Sequence, residues 1–322
     1  MKIILDAMGI ENKIACATIA ARNFVKKHLD TKVILAGDEN EIKKTFLFEN
    51  EFEILAADDY IKQKDTSIIG LRKTKSSFVL SLNKLHKKQV DALVSGCSTS
   101  CFVPIVYNIA NFFPNVDKFG FMPFIPIGKD KGFYLIDCGA NLSVEGEDLY
   151  KFALMANLYV KENNKISNPR IGILNIGTEQ HKGFPFHKKA NTLLLANKNL
   201  NYVGFIEPKN LFNDCVDILL TDAYSGNIFI KTIEGTLKFF GKFLKKKFNK
   251  PWNILTLLSL RKLKKYFDYR NKAAAIVLGI NTVIIKTHGS SDEVQFYFAL
   301  EKAYECVKNG IINKLNKQNY NV

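Results

Sequence analysis

Short apolar runs alternate along this chain with stretches in which apolar residues recur every three or four positions. Lys2-Ile-Ile-Leu-Asp6, Val33 to Gly37, Phe52 to Leu55, Ala92 to Val94 and Phe133 to Asp137 read as strands. So do Ile171 to Asn175, Val203 to Ile206, Ile218 to Leu220 and Thr282 to Ile285. Each is too short for a helix, and turn residues bound them. Between them, Ile14 to Leu29, Ser76 to Lys87, Asp148 to about Lys161 and one long final segment carry helical spacing. Pro123, Pro126, Gly128 and Gly132 read as a connection. Strands alternating with helices predict an α/β fold in which a parallel sheet is sandwiched by helices.

Six of the apolar runs stop at a cluster of small or polar residues. These are Asp6 to Gly9, Ser95 to Ser100, Asp137 to Asn141, Asn175 to Glu179, Asp222 to Asn227 and His288 to Asp292. In a parallel sheet such ends share one edge. That edge is where open α/β sheets place ligands and where free backbone N–H groups favour anions. Six together predict one large cleft lined by amides and small polar side chains. After Ile218 to Leu220 the chain turns into helical spacing at Ile228, Ile230, Ile233 and Leu237. As an ordinary joint, this turn would use Ser225 or Asn227 as the helix cap. No GxGxxG and no Gly-Lys-Ser or Gly-Lys-Thr is present, so the site is not a standard dinucleotide or P-loop one.

Composition narrows the class. A chain of 322 residues, 47% hydrophobic and 24% charged, has ample material for a core. The six cysteines are scattered, and Cys97 and Cys101 lack a nearby His, so no zinc pattern or metal site is expected. With no secretory leader and no apolar run long enough for a membrane span, a cytoplasmic protein with reduced thiols is expected. The net charge of +15 is concentrated: Lys238 to Lys272 holds twelve Lys or Arg against one acid, Asp268.

The ordered turns resemble those of the phosphate acyltransferase family of bacterial phospholipid synthesis (the PlsX type). The matching stretches are Met1 to Gly9, Leu135 to Asn141, Arg170 to Glu179 with Lys182-Gly183, Asp222 to Asn227 with Lys231 to Gly235, and His288 to Asp292. The resemblance implies a single three-layer α/β domain over 1–322, similar to isocitrate and isopropylmalate dehydrogenases and phosphotransacetylase, and working as a homodimer. It implies transfer of a long-chain acyl group from acyl carrier protein to inorganic phosphate. The acyl phosphate would then feed the membrane glycerol-3-phosphate acyltransferase. No cofactor is implied. The chain departs from the family pattern at Gly9-Ile10-Glu11, where Gly-Gly-Asp is usual, and at Gly96 to Cys101, which loses two glycines and an Asn. Those changes motivate the alternatives of a non-catalytic membrane-surface scaffold or a member running in reverse.

Direct attack of phosphate on a thioester requires a cation and several N–H donors, not a covalent intermediate. By the resemblance Lys182 is the cation for phosphate; alone it would read as a solvated loop lysine. Asn227 would donate to the carbonyl oxygen or phosphate, or cap a helix, or both. Asp6, Gly9, Ser98, Thr99, Asp137, Asn141, Asp222, Ser225 and Gly226 would shape the substrate cleft, their carboxylates holding backbone N–H groups or orienting Lys182. His288 reads either as a donor to phosphate or the leaving thiolate, or as a satisfied structural histidine. Cys97 has no base nearby in sequence to make it a nucleophile.

The basic stretch 236–272 reads as an inserted helical hairpin with an apolar tip, Trp252 to Leu260, and a lysine collar. Three readings stay open for it. One is a membrane-surface anchor through Trp252, Leu255 and Leu258 with Arg261, Lys262 and Lys265 on the headgroups. The others are a docking face for acidic acyl carrier protein and a dimer contact. Nucleic acid is not expected, because the charge sits beside an apolar tip and no recognition motif accompanies it.

Overall fold

The computed structural model describes residues 1–10, 14–128, 131–247 and 274–322. The first half of the chain holds β1 (Lys2–Asp6), α1 (Ile14–Lys27), β2 (Lys32–Gly37), α2 (Glu39–Lys43) and β3 (Glu53–Ala56). Then follow α3 (Ser67–Arg72), α4 (Ser77–His86), β4 (Ala92–Ser95), α5 (Thr99–Ile109), β5 (Gly120–Met122), β6 (Phe124–Gly128) and β7 (Lys131–Ile136). The second half holds α6 (Gly146–Asn164), β8 (Arg170–Leu174), α7 (Pro185–Ala196), β9 (Asn201–Ile206), β10 (Ile218–Leu220) and α8 (Ala223–Lys247). It closes with β11 (Ala275–Leu278), β12 (Val283–Lys286), α9 (Glu293–Lys308) and α10 (Ile311–Asn316).

The strands form two sheets where one was expected. A seven-stranded sheet has the order β3-β2-β1-β4-β12-β11-β5, and a five-stranded sheet the order β6-β7-β10-β8-β9. Both are mainly parallel; the antiparallel partners are β11 and β5 in the first and β6 in the second. Hydrophobic spacing establishes that a segment is a strand, but not which neighbour accepts its hydrogen bonds. That is why a second sheet was invisible to it. Two prolines and two glycines also disguised β5 and β6 as a connection. Pro126 is tolerated because β6 is an edge strand with β7 as its one neighbour.

Helix α6 joins the two sheets. It touches β7 and β10 of the smaller sheet and β11 of the larger. Its fully buried Leu149, Phe152, Met155 and Tyr159 share one core with Ile136, Ile173 and Leu220 on one side and Ile276 and Leu278 on the other. Burying a side chain such as Phe152 contributes about 2–3 kcal/mol. On the far face of the larger sheet, Phe78 and Leu82 of α4 and Phe102 of α5 close a second core. On the far face of the smaller sheet, Phe229, Ile230 and Ile233 of α8 cover Phe133, Leu135 and Leu219.

Two helix boundaries differ from expectation. The final segment is two helices, because Gly310 takes a left-handed conformation (φ 62°) between α9 and α10. Helix α8 starts at Ala223, and neither Ser225 nor Asn227 caps it. Asp222 does, its Oδ1 accepting the Ser225 N–H at 2.9 Å. Beyond the smaller sheet α8 carries an exposed aromatic stripe, Phe239, Phe240 and Phe243. Trp252, Leu255, Leu258, Arg261, Lys262 and Lys265 of the expected hairpin lie outside the described residues. Among those described, no helix is long and apolar enough to cross a membrane.

Candidate functional site

The six turns divide three and three between the sheets. In the larger sheet β1, β4 and β12 end side by side, with Asp6 in register with Ser95 and Ser95 with Lys286. The buried Asp6 carboxylate accepts hydrogen bonds from the hydroxyls of Ser77 at 2.7 Å and Ser95 at 2.8 Å. Burial nonetheless dominates and pushes its pKa up to about 6. Gly9 follows in a left-handed conformation (φ 68°), and a Cβ there would stand 2.2 Å from the Ile61 carbonyl oxygen. Only glycine fits.

Gln63 holds this edge together. Its amide donates to the Gly9 carbonyl and, at 3.0 Å, to the Gly96 carbonyl. A Cβ on Gly289 would come within 2.4 Å of the same amide. One side chain therefore ties the turns after β1 and β4 and packs against the turn after β12. Sequence reasoning missed it, because a glutamine in a loop carries no periodic signal. The turn after β4 leads into α5, with buried Ser98 at its start and exposed Thr99 in its first turn. His288 is exposed, and its Nδ1 accepts the Ser290 N–H at 3.2 Å.

At the edge of the smaller sheet, Asp137 is the hub. Its fully buried carboxylate accepts the backbone N–H groups of Phe121, Gly139, Ala140 and Asn141 at 3.0–3.2 Å, and the Asn141 side-chain amide at 2.8 Å. Burial raises its pKa against these bonds. Asn141 is consumed by structure, since its amide also donates to the Phe119 carbonyl and its Oδ1 accepts the Tyr107 hydroxyl. Gly226 lies so close that a Cβ would stand 2.2 Å from the Asp137 carbonyl oxygen. The exposed Asn227 then presents its amide over Gly139, 3.9 Å from where a Cβ would be.

Lys182 stands on the loop after β8. The Asn175 amide holds its carbonyl at 3.2 Å, and its ammonium pairs with Glu179 at 2.8 Å. The adjoining His187 accepts the Phe184 N–H at 3.0 Å; burial lowers its pKa while nearby Asp222 opposes the shift. Asp222 has one oxygen on the helix cap, and its buried Oδ2 has no partner among the described residues.

The two edges meet where Cys97 of the larger sheet and Cys138 of the smaller share Lys286 as an electrostatic neighbour. Burial holds both thiols far above their ordinary pKa, so neither supplies a thiolate nucleophile. Among the described residues no group of three His, Cys, Asp or Glu side chains is placed to hold a metal. The arrangement offers ammonium groups, a side-chain amide and strand-end backbone N–H groups, which suit an anion or a developing oxyanion. A cavity of about 230 Å³, lined by Phe124, Tyr134, Phe298 and Lys302 among others, contains none of these strand-end residues.

Comparison with known proteins gives the same chemistry a family. A family model described as "Fatty acid synthesis protein" matches residues 1–314. The phosphate acyltransferase of Ureaplasma parvum serovar 3 is 42% identical over 325 residues, covering 98% of this chain and 97% of its own. That of Malacoplasma penetrans is 40% identical over 319 residues, covering 98% and 96%. In structure the chain resembles the EutD phosphotransacetylase from Staphylococcus aureus, with a TM-score of 0.59 at 15% identity, covering 95% and 94% of the two chains. At that identity the likeness concerns the fold. With its strand-end turns and near-complete coverage by these relatives, the chain belongs to the fatty acid synthesis protein family of phosphate acyltransferases and is an acyltransferase.

Proposed function

We propose that the chain transfers a long-chain fatty acyl group from the thioester of an acyl carrier protein to inorganic phosphate. An oxygen of the phosphate dianion attacks the carbonyl carbon, a C–O bond forms and the C–S bond breaks. The proton carried by the phosphate passes to the departing thiolate, so the products are acyl phosphate and carrier thiol. Lys182 is the cation on the phosphate, and Asn227 donates to the carbonyl oxygen as it gains charge. Breaking the Lys182–Glu179 pair on binding is inexpensive, because both partners are substantially exposed. The observation that carries this reading is the placement of the Asn227 amide above the Gly139 backbone at the edge organised by Asp137.

In this reading residues 1–322 act as one catalytic unit, which functions as a homodimer in the cytoplasm. The basic segment 236–272 brings it to the membrane surface, where a glycerol-3-phosphate acyltransferase consumes the acyl phosphate. The exposed Phe239, Phe240 and Phe243 beside Lys238 and Lys242 support that placement.

The test is release of free thiol from palmitoyl-acyl carrier protein with and without inorganic phosphate. Wild type should release thiol only with phosphate, and Lys182→Ala should lower the rate by about tenfold or more, as expected for losing a charge-assisted contact. Phosphate-independent release, or none from folded protein, would discard the reading in favour of a scaffold.

A further inference from the structure

Lys286 is the last residue of β12, where the ends of both sheets converge. Its ammonium donates to the carbonyl of neighbouring Thr287 and lies 5.8 Å from the centre of the Phe102 ring. Among the described residues it forms no ion pair. The groups that act on it come from each element packed at this point. They are Asp6 after β1, Cys97 after β4, Cys138 after β7 and Lys231 on α8. None neutralises it by contact. The Asp6 carboxylate is occupied by the hydroxyls of Ser77 and Ser95, and both thiols stay protonated. Lys231 has the same sign and is itself paired with Glu234 at 3.0 Å.

A cation partly withdrawn from water, with its anionic neighbour Asp6 not in contact, is costly unless an anion arrives to meet it. Burial accordingly pushes the Lys286 pKa down to about 8. The next residue, Thr287, is 3% exposed and turns its hydroxyl to the opposite face of the sheet, beside Gly96. The Lys286 ammonium, with Asp6 as its charged neighbour but no ion pair among the described residues, therefore stands at a strand end. It supplies N–H donors at that edge, which is what a compact polyanion requires.

We propose that Lys286 binds the phosphate dianion, so that the larger sheet supplies a second phosphate-holding cation to complement Lys182 from the smaller. This rests on the acyl-to-phosphate reading above. It makes Lys286 a catalytic residue, since it touches the attacking phosphate. It also accounts for the division of the site between two sheets, because each edge contributes one ammonium.

The experiment compares wild type, Lys286→Gln, Lys286→Arg and Thr287→Val. Two quantities are read: the rise in melting temperature with added inorganic phosphate, and the phosphate KM for thiol release from palmitoyl-acyl carrier protein. Melting without phosphate establishes that each variant is folded. Lys286→Gln should abolish the phosphate-induced rise and increase the phosphate KM by about ten- to a hundredfold. Thr287→Val, a change on the opposite face of the sheet, should leave the phosphate KM unchanged. In wild type the KM should climb above about pH 8 as Lys286 loses its proton, whereas Lys286→Arg should recover binding and stay flat.

An unchanged phosphate KM in folded Lys286→Gln, with wild type active, overturns this inference and leaves the acyl-transfer reading intact. Phosphate-induced stabilisation that depends on Lys286 but comes without thiol release supports the anion site and sinks the acyl-transfer reading. No phosphate-induced stabilisation and no phosphate-dependent release from wild type overturns both.

Discussion

Asp137, at the end of a strand in the five-stranded sheet, accepts the backbone N–H of Phe121, in a strand of the seven-stranded sheet, at 3.0 Å. One carboxylate thus spans the seam between the sheets while also ordering the Gly139 to Asn141 turn. Replacing it with alanine leaves several buried N–H groups without an acceptor, each costing about 1–3 kcal/mol before relaxation. Asp137→Ala is expected to lose more than about 3 kcal/mol of stability, and Asp137→Asn, which keeps one acceptor oxygen, distinctly less. Urea unfolding checks this, a lower midpoint at unchanged slope being the expected outcome.

Gly226 and Gly235 share one helix but have opposite surroundings. A methyl group at Gly226 would stand 2.2 Å from the Asp137 carbonyl oxygen, whereas nothing lies within 4 Å of one at Gly235. Gly226→Ala should therefore displace the strand-end turn, lowering the melting temperature and acyl transfer together. Gly235→Ala should gain about 0.5–1 kcal/mol through helix propensity alone. Thermal melts of the two variants decide the matter, and a stabilised Gly226→Ala would contradict the described contact.

Lys302 donates to the Ala274 carbonyl at 2.7 Å and lies over the Tyr134 ring, and burial pushes its pKa down to about 8 from 10.5. Below pH 8 the group is charged in both folded and unfolded chains, so its desolvation cost is fully present. Between about pH 8 and 10.5 the folded state sheds the proton first, the unfolded chain binds more protons, and stability from this group rises with pH. Lys302→Met should consequently melt above wild type at pH 7, with the gap closing towards pH 10. A gap that widens with pH would contradict the sign of the shift.

Much of the scaffold was legible because its strands are bounded by turn residues. Lys2–Asp6 and Ile218–Leu220 coincide with their apolar runs, and the polar residues that follow mark the two edges. What stayed hidden depends on partners distant in sequence. The run Ala275–Leu278 went unassigned, and Thr99–Ile109 was obscured as a helix by Pro104 within it. At the site, Asp137 and Gly226 were visible as strand-end and turn residues. Lys286 looked like any lysine ending a strand, because the groups that act on it, Asp6, Cys97, Cys138 and Lys231, come together only from four other elements.

The strand order carries a consequence for biosynthesis. In the larger sheet, the two strands nearest the C-terminus lie between Ala92–Ser95 and Gly120–Met122, which are made far earlier. A nascent chain that has emerged as far as Leu220 has all five strands of the smaller sheet, while the larger one remains split into two pieces with unpaired edges. Closing it means waiting for about sixty-five further residues and threading Ala275–Leu278 and Val283–Lys286 into the gap. Until then those edges are templates for pairing with other chains, and the ammonium at the end of the last inserted strand is not yet in place. The acyltransferase is therefore assembled late, and a ribosome that stalls before residue 286 releases a protein with half a site and an open sheet.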